Sequence, residues 1–133
     1  MKHLLLTTIA AVLLVGCGPS SKDISEAARL GDIKAVKQFI AAGVDVNAVC
    51  EVGAFNSAPM PPLHAAAAGN TSGKIRGQKE VAELLIAKGA DVNVKANGDT
   101  PLDLAVWSNH KDIADLLRKH GGKTGLELRT ADK

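Results

Sequence analysis

Two cysteines and four histidines are the side chains of this 133-residue sequence best suited to chemistry, as nucleophiles, proton carriers or metal ligands. Cys17 and Cys50 are far apart in the chain, and His110 and His120 lack the Cys/His spacing of a zinc site. There is no phosphate-binding glycine loop, no Gly-x-Ser-x-Gly and no pair of carboxylates set for acid–base work. No catalytic residue, metal or cofactor is therefore expected, and the chain does not read as an enzyme. Nucleic acid is excluded on charge: 16 basic residues face 14 acidic ones, Tyr is absent, and no basic strip is interleaved with aromatics. What remains is to ask which elements hold these residues.

The first element is a leader. Met1-Lys2-His3 is basic, and Leu4 to Val15 is an uncharged run of twelve residues. A membrane-spanning helix needs about 20 apolar residues, whereas the apolar part of a signal peptide has about 7–15. The alternative, a buried core helix, would be an unusual way to begin a chain. The run ends in Leu14-Val15-Gly16-Cys17, which resembles the lipobox of bacterial lipoproteins. That resemblance implies a diacylglyceryl group on the Cys17 thiol, cleavage after Gly16 and acylation of the new amine. Several acyl chains anchor a protein stably where one holds it only marginally. The rival reading is an ordinary secreted protein in which Cys17 is incidental. On the lipoprotein reading residues 1–16 are a signal peptide and 17–22 a lipidated tether, with Gly18-Pro19-Ser20-Ser21 supplying turn formers. Gly18 after the cysteine resembles the signal for the outer membrane, facing the periplasm, in a Gram-negative cell; in a Gram-positive cell it would mean the outer leaflet of the plasma membrane. Lipidation of Cys17 leaves Cys50 without a partner in the chain, as a small buried hydrophobe or as a reactive thiol. In a bacterium the Asn70-Thr71-Ser72 sequon carries no signal.

The second element is a repeat. Residues 31–47, 77–93 and 109–125 align without gaps, and each holds an apolar set near Val36/Phe39/Ile40, Val81/Leu84/Leu85 or Ile113/Leu116/Leu117. Spacings of three and four mark one face of a helix. Gly43, Gly89 and Gly121 end these helices where a left-handed residue is needed. Before the second and third segments stand Pro62-Leu63-His64-Ala65-Ala66 and Thr100-Pro101-Leu102-Asp103-Leu104-Ala105. Thr100 is placed to cap a helix beginning at Pro101, where a missing N–H costs nothing. A unit of this kind cannot bury its apolar face alone, so neighbours must stack.

The motifs PPLHAAAA, NGDTPLDLAV, GVDVN and GADVN resemble ankyrin repeats, over about Asp23 to Lys123. The resemblance implies an all-α solenoid of three helix-turn-helix units with β-hairpin-like finger loops, at about 23–47, 58–93 and 97–123, followed by a tail over 124–133. It also implies protein partners on the fingertips and on the concave face lined by the first helices, with His64 bonding the backbone of a neighbouring turn. Three departures are visible. The first unit lacks a TPLH element, Pro61 replaces the Thr of the second, and Asn109 replaces the turn Gly of the third. The last helix carries Arg118, Lys119 and His120, giving the polar outer face that a terminal unit needs. With only 2% aromatic residues, Ala, Val, Leu and Ile must form the core.

From Gly43 to Gly89 is 46 residues, about thirteen more than the usual period of roughly 33. Part of the excess falls in the first finger, Ala48 to Met60, with Glu51 and Phe55; the rest falls over Gly69 to Arg76, with Lys74. Phe55 either anchors a partner or folds back onto the stack. Lys74 and Arg76 either meet an anionic lipid surface or are simply solvated. Trp107 is either an anchor or covered by the tail through Leu126 and Leu128. Glu51, Phe55, Met60, Lys74, Arg76 and Trp107 are thus the partner-binding candidates, and Cys17 is the lipidation site. The expected molecule is a monomeric, envelope-anchored interaction module with a protein partner, or alternatively a protective scaffold for an envelope enzyme or toxin. A small-ligand-binding protein is a third reading and would need a deep polar pocket.

Overall fold

The computed structural model describes residues 19–49, 60–69 and 77–133. Cys17, Cys50, Glu51, Phe55, Lys74 and Arg76 lie outside the described residues, as do the whole of the leader and most of both insertions. Among the described residues there are seven helices: α1 (Pro19–Leu30), α2 (Ile33–Ala41), α3 (Pro62–Ala68), α4 (Gln78–Ala87), α5 (Pro101–Trp107), α6 (Lys111–Lys119) and α7 (Gly125–Ala131). None of them is long and apolar enough to cross a membrane.

The helices fall into three pairs. Each pair packs on itself, α1 with α2, α3 with α4 and α5 with α6. Consecutive pairs then stack, so that α1, α3 and α5 form one layer and α2, α4 and α6 the second. The expected all-α solenoid is the observed fold. Two boundaries differ from expectation. α1 begins inside the stretch read as a tether, because Pro19 stands at a first helical position, where its lost N–H removes no bond. The tail is helical too: Thr124 and Glu127 cap one another reciprocally, a device that starts α7 without any apolar repeat behind it.

Local chemistry explains each reversal. Gly43, Gly89 and Gly121 have φ of +87°, +94° and +84°. At each, the next residue's N–H closes back onto the helix: Val44 to the Phe39 carbonyl at 3.0 Å, Ala90 to Leu85 at 2.9 Å and Gly122 to Leu117 at 2.7 Å. Those are Schellman closures, which satisfy carbonyls that the helix end would orphan. The turns between paired helices use the same closure, with Gly31 and Asn109 in the left-handed region. Asn109 is thus tolerated where glycine was expected.

The caps of the two complete first helices differ as their sequences require. Thr100 accepts the Asp103 N–H while the Asp103 carboxylate accepts the Thr100 N–H, a full capping box on α5. Pro61 gives α3 no side-chain cap. The core is aliphatic: Ile24, Val36, Leu63, Val81, Leu85, Leu102, Ile113 and Leu117 are buried, closed by Ala28, Ala66, Ala67, Ala82 and Ala105. Phe39 packs only partly against it, and the tryptophan takes no part.

Candidate interaction surface

Equivalent residues of successive units line up, and several tie each unit to the next. Ser25, His64 and Asp103 share one repeat position, in the first turn of α3 and of α5 and midway along the longer α1. Ser25 donates its hydroxyl to the Met60 carbonyl at 2.9 Å, and His64 Nε2 stands 3.0 Å from the Asp99 carbonyl. The carbonyl can only accept, so Nε2 carries the proton and Nδ1 is left as a lone pair. That Nδ1 is buried without a partner. The third member is Asp103, which accepts the Gly125 N–H at 2.8 Å and so holds the first turn of α7. Thr100 adds its hydroxyl to the Lys123 carbonyl at 2.7 Å.

Burial pushes the His64 imidazole below its ordinary pKa; the Asp99 carbonyl and the carboxylates of Asp99, Asp103 and Asp91 oppose that shift without cancelling it. Burial alone would raise the Asp103 carboxyl. The amides of Thr100 and Gly125 and the Thr100 hydroxyl outweigh it, and Asp103 sits below the usual carboxylate range.

A second column runs through the fingers. Asn47 donates to the Gly89 carbonyl at 3.1 Å and accepts the Asp91 N–H at 2.9 Å. Asn93 repeats this one unit later, with the Gly121 carbonyl at 3.1 Å and the Lys123 N–H at 2.7 Å. A third column joins the opposite ends of the helices. Gln78 Nε2 donates to the Arg29 carbonyl at 3.2 Å, and His110 Nδ1 lies 2.9 Å from the Ala67 carbonyl. Asn93→Ala should destabilise the stack by about 1 kcal/mol, because both lost bonds are exposed and water takes their place. Urea unfolding followed by circular dichroism measures this, and no change in midpoint would mean the clamp is ornamental.

Among the described residues, the large apolar side chains left exposed are Leu30, Val49, Val106, Trp107 and Leu126. Trp107 is 68% exposed at the end of α5. Of the two readings of Trp107, cover by the tail is not what the structure has: Leu126 is itself 65% exposed, and the tryptophan is bare. It shares its position with Arg29 and Ala68, and Arg29 is held by a 2.6 Å ion pair to Glu26. Ala68 and Gly69 give the middle of that row no bulk. Met60 lies beside Pro61, packs partly against the core, and lends its carbonyl to Ser25. The second finger is sharper. Ala96 and Asp99 exchange both backbone bonds at 2.9 and 3.0 Å across Asn97-Gly98, both with positive φ, the geometry of a hairpin turn.

Histidine 64 holds a neighbouring turn as expected. His110, which lacks the spacing of a zinc ligand, is buried at the start of α6. Its column with Asp32 and Gln78, visible once the repeats are aligned, is the signal that could have found it. No group of three acidic, cysteine or histidine side chains is placed to hold a metal among the described residues.

Helix pairs stacked in two layers, each followed by a finger clamped to the next, define a class of repeat solenoids. A family model for ankyrin repeats, in three copies, matches residues 24–127. The chain belongs to the ankyrin-repeat family, whose stacks in general mediate protein–protein interaction. It is 32% identical over 110 residues to the Ankyrin repeat and KH domain-containing protein mask-1 of Caenorhabditis elegans, covering 81% of this chain and 4% of that protein. It is 45% identical over 56 residues to Protein fem-1 homolog C of Bos taurus and of Homo sapiens, covering 39% of this chain and 9% of each. The chain thus spans a small fraction of the length of these relatives.

Proposed function

We propose that this chain is an exported interaction module, anchored to the bacterial envelope by acyl chains on Cys17, whose protein partner docks against the first-helix layer and the fingers. The observation that carries the binding half is Trp107: a large aromatic, 68% exposed, at the end of a row otherwise floored by Ala68 and Gly69. Aromatic side chains presented in this way dominate binding energy at interfaces. The lipobox-like Leu14-Val15-Gly16-Cys17 after an uncharged run supports the anchoring half.

One experiment addresses both. The full chain, Cys17→Ala and Trp107→Ala are compared in the native membrane by acyl labelling, fractionation and crosslinking with mass-spectrometric identification. Cys17→Ala is expected to lose the acyl label and leave the membrane fraction. Trp107→Ala is expected to stay anchored and to lose its crosslinked partner, with affinity falling at least tenfold. Retention of label by the first variant, or of an equally bound partner by the second, would overturn the corresponding half.

A further inference from the structure

The stack ends on a face that its own pattern leaves uncovered. Val106 occupies the position held by Ala28 in the first unit and Ala67 in the second. Those alanines are 0% exposed because the following unit lies over them, whereas Val106 is 48% exposed. α7 does not supply the missing cover. It is held at Gly125, the one buried residue of the helix, and Leu126 beyond it faces solvent. Beside Val106 lies a groove of about 300 Å³ between α5 and α6, lined by Ala105, Ala114 and Asn109 and flanked by Lys111, Asp115 and Arg118.

The three flanking charges alternate in sign along successive turns of α6, which makes this face complementary to itself. When two such helices lie antiparallel across a two-fold axis set on this exposed face midway between Lys111 and Asp115, Lys111 of each faces Asp115 of the other. Asp115 is available for this: its contact with Arg118 is long, at 4.0 Å, and its side chain is 79% exposed. A two-fold contact closes after two copies, whereas end-to-end stacking would continue without limit. We infer that the third unit pairs with the third unit of a second copy, so that two chains cover each other's Val106 and groove and the protein is a two-fold dimer rather than the monomer expected from its sequence. This surface adjoins the tryptophan row at Val106, but it is built from the groove and the charges of α6 and does not depend on the partner assigned to that row.

The test is made on the full chain in its membrane, with Val106→benzoylphenylalanine as a photocrosslinker. The expected product has twice the chain mass, with the crosslink mapped to α5 or α6 of the other copy. Asp115→Lys should reduce that product about tenfold by setting like charges face to face twice, and adding Lys111→Asp should restore it. Both positions are exposed, and circular dichroism verifies that the variants fold. A chain that crosslinks only to other proteins, that gives no doubled species, or whose dimer ignores the charge reversal would overturn the inference.

Discussion

Gly77→Ala is expected to destabilise the stack by about 3 kcal/mol, whereas Gly89→Ala should cost only about 1 kcal/mol. Both glycines have the same backbone demand, with φ of +89° and +94°. They differ in what a methyl group would meet. At Gly89 there is open space, so only the left-handed conformation of an L-residue opposes the change. At Gly77 the added Cβ would run into the backbone carbonyl of Gly31 in the preceding unit. Backbone cannot rotate out of the way, so the two units must separate at the turn end of their helices. Urea unfolding of both variants beside the wild type measures the difference. Equal midpoints would show that the first two units do not approach as closely there as described.

Acid should weaken the junction between the second and third units before it titrates any carboxylate. His64 is neutral in the fold with its pKa lowered, so the unfolded chain takes up protons first as pH falls. The sign follows: the stabilisation is complete above the unfolded value of about 6.5 and declines as pH drops through it toward the folded value, by up to about 1.4 kcal/mol per pH unit. The structural reason is that protonating Nδ1 creates a buried N–H with nothing to accept it. His64→Gln keeps a donor for the Asp99 carbonyl but cannot titrate, so its stability should be flatter between about pH 7.5 and about pH 5.5, roughly one unit either side of that unfolded value. Parallel stability curves for the two proteins would rule out His64 as the responsible group. Asp103, lowered rather than raised, acts with the opposite bookkeeping: its contribution is present above the unfolded carboxylate pKa and is lost only in more acidic solution.

Much of this was legible in the residues. The spacing of Val81, Leu85, Ile113 and Leu117 marks helix faces, and the glycines at 43, 89 and 121 mark their ends, because helical period and left-handed closure are local demands that a sequence must meet in place. Thr100 and Pro101 were readable for the same reason. The ties between units were less so. Gln78, His110, Asn47 and Asn93 bond across 28 to 49 residues of sequence, and nothing local distinguishes them from solvated polar groups. Only their recurrence at equivalent positions gives them away. Exposure was the least legible property. Whether the tail shields Trp107, and whether Met60 turns inward, depends on how loosely α7 and the finger base sit on the stack, and composition carries no record of that.

The inter-unit bonds have a mechanical consequence. Each unit is fastened to the next at both ends of its helices, by Ser25, His64 and the Asn clamps at the finger end and by Gln78 and His110 at the turn end. A block pinned at two separated points cannot rock or twist on its neighbour without stretching one row of pins. The stack therefore resists bending and torsion as a plate does, and yields most readily to a pull along its length.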